Sequence, residues 1–189
     1  RCFSRPWPPA ARKDRLNGRP ARIFRARIPV RTHLGRPGRV TILDHFCYRG
    51  GRLRAEEVPI RDIAEAVDTP VYVYARATIE RHYRVFADAF AGIDAIVCFA
   101  VKANGNLAVV RTLALLGAGA DVVSGGELDT AIAAGVPPAR IVFSGVGKTA
   151  DELAHALNLG VMQINVESEP ELELLDAIAR TVGRRAPTA

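Results

Sequence analysis

One lysine stands inside an otherwise apolar run. Lys102 follows Cys98, Phe99, Ala100 and Val101 in the stretch CFAVKANGN, residues 98–106. A buried, unpaired ammonium costs several kcal/mol, so a lysine at the end of a hydrophobic strand either escapes to water along its own alkyl stem or is held for chemistry. Held and desolvated, it has a lowered pKa and a nucleophilic amine, the property a Schiff base needs. A period of two puts Ile96, Cys98, Ala100 and Lys102 on one face of the strand and Val97, Phe99 and Val101 on the other. These residues alone leave both readings open.

Other candidate chemistry falls away on spacing. The stretch VFSGVGKT, residues 142–149, ends like a phosphate-binding loop, but that motif needs glycine where Val142 stands. GAGADVVSGGEL, residues 117–128, lacks the G-x-G-x-x-G order and precedes a strand instead of following one. Both read as tight turns between elements. His33, His45, His82 and His155 show no metal-ligand spacing, and Cys2, Cys47 and Cys98 form no C-x-x-C pair. Three scattered cysteines argue against a disulfide framework and fit a reducing cytoplasm.

The elements that must position Lys102 alternate. Apolar runs at 71–74 (VYVY), 95–101, 120–124, 140–143 and 161–166 read as strands, their starts spaced as in βα units. Between them, Ile79, Tyr83, Phe86 and Phe90 share one helical stripe, NLAVVRTLALLGAG and ELDTAIAAGV run into glycines suited to helix ends, and Ser168 with Glu171 predicts a capping box. Five βα units imply a parallel sheet, either doubly wound or a partial (β/α)8 barrel. In a barrel the bulky strand face meets the helices and Lys102 points into the mouth, where such barrels keep their active sites. The ending GRRAPTA offers no closing strand, which leaves the last strand without a neighbour.

The formal charge of +6 divides unevenly. Residues 1–40 hold 12 Lys and Arg against one acid, Asp14, a net of +11, which leaves −5 for residues 41–189. The first 42 residues are therefore expected to be a disordered Pro/Arg-rich leader, with the barrel portion spanning 43–189. With its charge of −5 and no basic stripe, the domain does not fit nucleic-acid binding. No run of about 18 apolar residues predicts a membrane span.

Taken in order, FAVKANGN, GAGADVVSGGEL, RIVFSGVGKT and NVESEPELELL resemble the N-terminal part of the diaminopimelate decarboxylase family, from about His45 onward. The resemblance implies a fold III pyridoxal 5'-phosphate (PLP) enzyme, with a PLP-binding (β/α)8 barrel and a β-rich C-terminal domain that this chain lacks. Such enzymes form cytoplasmic homodimers with sites at the subunit interface. It also implies decarboxylation of meso-diaminopimelate to lysine, or of ornithine, arginine or carboxynorspermidine in sister enzymes; a non-catalytic PLP-binding homologue is the remaining alternative. By position, Lys102 matches the catalytic lysine that carries PLP, and Lys148 does not. Ala100 matches a small residue against which the cofactor lies, Asp121 an acid beside it, and Ser144 lies where it could line the same mouth. The residues that cradle the phosphate and pair with the ring nitrogen have no counterpart, so the 189-residue chain alone is expected to be inactive.

Overall fold

The computed structural model describes residues 45–189, so the basic leader lies outside the described residues. Three short strands, β1 (Phe46–Arg49), β2 (Arg52–Ala55) and β3 (Val58–Pro59), form an antiparallel sheet leading into α1 (Ile60–Val67). This sheet is tied to the start of α2 (Arg76–Asp88). The Glu56 carboxylate accepts from the Ala77 N–H at 2.9 Å, and the His45 N–H donates to Thr78 Oγ1 at 3.0 Å. Glu56 thus satisfies one of the unpaired N–H groups that every helix start leaves.

The second sheet is parallel: β4 (Cys98–Ala100), β5 (Gly119–Val122), β6 (Ile141–Phe143) and β7 (Gln163–Ile164), in strict chain order. Helices α3 (Leu107–Leu115), α4 (Gly125–Ala133), α5 (Ala150–Leu159) and α6 (Glu169–Val182) follow the four strands, and from α2 onward each helix packs on the next. A doubly wound sheet reverses its strand order and distributes helices over both faces. Sequential strands with a continuous row of neighbouring helices are singly wound, and this is an arc of a (β/α) barrel.

The strand faces divide as a period of two requires. Ala120, Val122, Ile141, Phe143 and Ile164 are fully buried and form the core with Leu128, Leu153 and Leu175 from the helices. Burying each Leu, Ile or Phe side chain contributes about 1.5–3 kcal/mol. The opposite face carries Cys98, Ala100, Gly119, Asp121, Val142 and Gln163, in a register that sets Ala100 beside Asp121, Asp121 beside Val142, and Val142 beside Gln163. The expected glycine helix ends form at α3 and α4. Gly117 (φ +93°) and Gly135 (φ +92°) take the left-handed turn, and the N–H groups of Ala118 and Val136 reach back to Leu113 and Ala131.

Several expectations are corrected. Val71–Tyr74 joins no sheet, so four of the five anticipated strands form the ladder; Tyr72 and Tyr74 are exposed. The last strand does have a neighbour. Thr188 bridges Ile164 in parallel, with the Ile164 N–H donating to Pro187 O and the Ala189 N–H to Ile164 O. The stripe on α2 holds at Ile79 and Tyr83, which are half-buried, while Phe86 and Phe90 are exposed and pack edge-to-face with ring centroids 5.2 Å apart.

Gly119 is where β5 comes closest to its neighbours. A Cβ there would collide with the Arg140 carbonyl oxygen and sit 2.8 Å from Cys98 Sγ. Gly119→Ala should therefore cost about 1–3 kcal/mol in urea unfolding, the usual penalty of overpacking. Gly126→Ala, on the first turn of α4 with nothing within 4 Å of the added carbon, should be neutral or stabilising.

Candidate functional site

The carboxyl ends of the four parallel strands lie on one rim, as parallel pairing requires, and the residues of interest gather there. β4 ends at Ala100, and Val101–Ala103 then coil into a single 3₁₀ turn. The alternation of faces stops with it. Val101 is fully buried, and Lys102 stands exposed on the next residue. Of the two readings that the sequence leaves open, the described residues show Lys102 exposed at the strand end and not desolvated there. The chain then enters α3 through Asn104, whose Oδ1 accepts from the Asn106 N–H at 3.0 Å, and through Asn106, whose side chain caps the helix at Ala108 N–H.

Asp121 lies directly across from Ala100 in the ladder. Its Oδ1 accepts a 2.6 Å hydrogen bond from the hydroxyl of Ser144, the first residue after β6. Ser144 Oγ in turn accepts from Asn165 Nδ2 at 3.0 Å, and Asn165 Oδ1 accepts from Gln163 Nε2 at 2.6 Å. The structure therefore brings Ala100, Asp121 and Ser144 together and adds Asn165 and Gln163, which reading the sequence missed. The signal was present: in VMQINV, Gln163 and Asn165 are the two polar residues of an apolar strand and fall on one face by a period of two.

The other described lysine behaves oppositely. The side chain of Lys148 has no exposed surface, and all three of its protons are taken: Glu171 Oε1 at 2.6 Å, Gly145 O at 2.6 Å and Asn165 O at 2.7 Å. Its ammonium also lies 5.9 Å from the Phe143 ring centroid. This pairing corrects the capping-box expectation at α6. Ser168 caps the Glu171 N–H, but the Glu171 carboxylate turns to Lys148 instead of back to the cap. The complete capping box is at α5, where Thr149 and Glu152 satisfy each other's backbone N–H groups. Glu152 also accepts from the Gly125 N–H at 2.7 Å, and these backbone hydrogen bonds, the one from Thr149 first, hold its carboxyl below the ordinary range.

Cys98 lines the face that carries Asp121. Burial, and then the nearby Asp121 carboxylate, push its thiol up, which suits a small apolar wall better than a nucleophile.

Residues 76–185 match the family model of the pyridoxal-dependent decarboxylase, pyridoxal binding domain. The chain belongs to that family. A diaminopimelate decarboxylase of Pseudomonas aeruginosa is 54% identical over 147 residues, covering 78% of this chain and 35% of that protein. The diaminopimelate decarboxylase of M. jannaschii has a solved structure that superposes with a TM-score of 0.74 at 38% identity, covering 77% of this chain and 35% of its own. The Helicobacter pylori enzyme, complexed with L-lysine, gives 0.66 at 41% identity over 68% of this chain and 33% of its own. The chain thus spans about a third of the length of the relatives it matches.

Pyridoxal 5'-phosphate is the cofactor of this decarboxylase family, and the rim fits one end of it. An aldehyde needs an unengaged amine, and the Lys102 amine has no hydrogen-bond or ion-pair partner among the described residues. A flat ring needs a small residue beneath it, and Ala100 is there beside Asp121.

Two outcomes follow from this geometry. Lys148→Met leaves the Glu171 carboxylate buried and unpaired and should cost about 3–5 kcal/mol in urea unfolding, whereas adding Glu171→Leu should recover more than half of the loss. Cys98 should alkylate with iodoacetamide more slowly than free cysteine at pH 8, and the rate should keep rising as the pH passes the ordinary thiol value of 9.0.

Proposed function

We propose that the protein to which this chain belongs decarboxylates meso-2,6-diaminopimelate to L-lysine, with PLP attached to Lys102. The observation that carries the assignment of the lysine is the contrast between the two described lysines: Lys148 has no proton to spare, and Lys102 is exposed at the rim with no partner among the described residues. The substrate assignment rests on the likeness to diaminopimelate decarboxylases at 38–54% identity.

Each residue has a role in this reading. Lys102 binds the cofactor and releases it to the incoming substrate amine. When bound, the cofactor supplies an electron sink for the pair left behind as CO2 departs. Ala100 leaves room for a ring to lie against β4, and Asp121 offers a fixed carboxylate at its side. Lys148 stays out of the chemistry and braces the turns that frame the rim. The corresponding reading of assembly is a homodimer, by likeness to the family, and the reading of location is cytoplasmic, which the free thiols of Cys47 and Cys98 support. No helix of the described residues is long and apolar enough to cross a membrane.

The test uses the enzyme at the length of its relatives. Borohydride should fix PLP on the peptide carrying Lys102 and not on that carrying Lys148, and Lys102→Ala should abolish the fixation. CO2 release should favour meso-diaminopimelate over ornithine and arginine by at least about a hundredfold in kcat/KM, since a site built to bind the carboxylate at the substrate's second end rejects analogues whose second end is only a cation. The 189-residue chain, with too little structure to exclude water, should turn over at less than about a tenth of that rate. Fixation on Lys148, or a preference for ornithine or arginine, would overturn the assignment.

A further inference from the structure

We propose that Ser144, Asn165 and Gln163 are positioning residues that act through Asp121, forming a one-way hydrogen-bond relay across three strand ends that aims this carboxylate at the cofactor. The inference rests on the PLP reading of the rim. Its foundation is the directionality of the four side chains, which donor and acceptor chemistry fixes without ambiguity.

A carboxylate only accepts, so the single proton of the Ser144 hydroxyl is committed to Asp121 Oδ1, at 2.6 Å. With its proton spent, Ser144 Oγ must accept, and it does so from Asn165 Nδ2 at 3.0 Å. That orients the Asn165 amide, leaving its Oδ1 to accept from Gln163 Nε2 at 2.6 Å. No member can reverse without breaking a neighbour's bond, so neither amide is free to flip. The relay crosses from β7 over the end of β6 to β5, where Asp121 faces Ala100 of β4. Only one carboxylate oxygen is used: among the described residues Asp121 Oδ2 has no hydrogen-bond partner. The relay therefore fixes the side-chain torsions of Asp121 and leaves its second oxygen free to meet a ligand.

Lys148 supports the relay from behind. Its ammonium holds the carbonyl of Asn165, a relay member, and that of Gly145, the residue after Ser144. Both rim segments are thus referenced to one buried cation. A structural rim would need only packing. A chain of polar side chains ending on a half-satisfied carboxylate suits the orientation of a bound group.

Two measurements test the relay. On the enzyme at the length of its relatives, Ser144→Ala should shift the side-chain amide resonances of Asn165 and speed their exchange with solvent, because it removes their acceptor. On the same enzyme, PLP dissociation is measured by absorbance titration. Ser144→Ala should weaken retention by about ten- to a hundredfold, the worth of a buried hydrogen bond to a charged group, and Asn165→Ala, which removes a bond between neutral groups, by about two- to tenfold. In an Asp121→Ala background Ser144→Ala should add less than about twofold, because nothing is left for it to orient. Ser144→Thr, which keeps the hydroxyl, should restore retention, and Ser144→Cys, with a weak donor, should fall between and replaces the alanine variant if that one does not fold. Unchanged retention in Ser144→Ala, or losses that multiply with Asp121→Ala, would overturn the relay. Failure of the PLP reading would show separately, as fixation of the cofactor away from Lys102 in the unaltered enzyme.

Discussion

One buried ammonium sets the shape of the strand-end rim. A lysine side chain has three protons, and Lys148 finds three acceptors from three parts of the chain: the turn after β6, the residue after β7, and the first turn of α6. An ammonium with no exposed surface tolerates no missing partner, since desolvation costs several kcal/mol whenever an acceptor is withdrawn. The arrangement is therefore close to all-or-none. Either both turns and the helix start are in place together, or the charge must find water. An apolar plug of the same volume could contribute as much stability, but it would not specify where the carbonyls of Gly145 and Asn165 stand.

That specification matters because of how the sheet is wound. Parallel strands in chain order send every carboxyl end to the same rim, and each strand then hands its chain to a turn and a helix. The helix-facing side of the sheet is filled by Val, Ile and Phe and needs little individual precision beyond packing. The opposite side mixes the small residues Cys98, Ala100 and Gly119 with Asp121, Val142 and Gln163, so positions there are set by hydrogen bonds and by close approach of backbones. Two kinds of order thus meet in strands of only two to four residues. The hydrophobic effect decides which side faces the helices, and directed polar contacts decide the geometry of the rim.

The helix-facing half was the part most legible in the sequence. Runs such as RIVF and ADVVS announce strands because their β-branched residues fit a pleated surface under helices, and the ladder follows those runs. VYVY at 71–74 has the same composition and forms no strand, since β-propensity does not supply a hydrogen-bonding partner. Residues 187–189 carry no strand signature, yet they pair with β7 because an open edge lies beside them. At the rim, Ala100, Asp121 and Ser144, which lie together there, were singled out through the family likeness, and Asn165 and Gln163 were not. Local patterning predicted that Glu171 would bond its own helix cap, and a partner 23 residues away claimed it instead. Such choices depend on which charge is buried, and that is decided only when the turn around Lys148 closes.

The two lysines show what separates a structural cation from an available amine. Both follow short apolar strands and both precede a helix, so propensity and periodicity treat them alike. After β6 the chain makes two glycine turns, at Gly145 and Gly147, which fold Lys148 back beneath the rim where backbone carbonyls wait. After β4 the chain makes a 3₁₀ turn instead, with Val101 taking the buried position and Lys102 left exposed at the rim. An amine with every proton bound gains nothing from a cofactor aldehyde and would forfeit an ion pair to reach one. An amine with no partner among the described residues forfeits nothing there. An available amine is therefore recognised by what surrounds it, and the surroundings are fixed by the turn that follows the strand, a 3₁₀ turn at Val101–Ala103 in one case and glycine turns at Gly145 and Gly147 in the other.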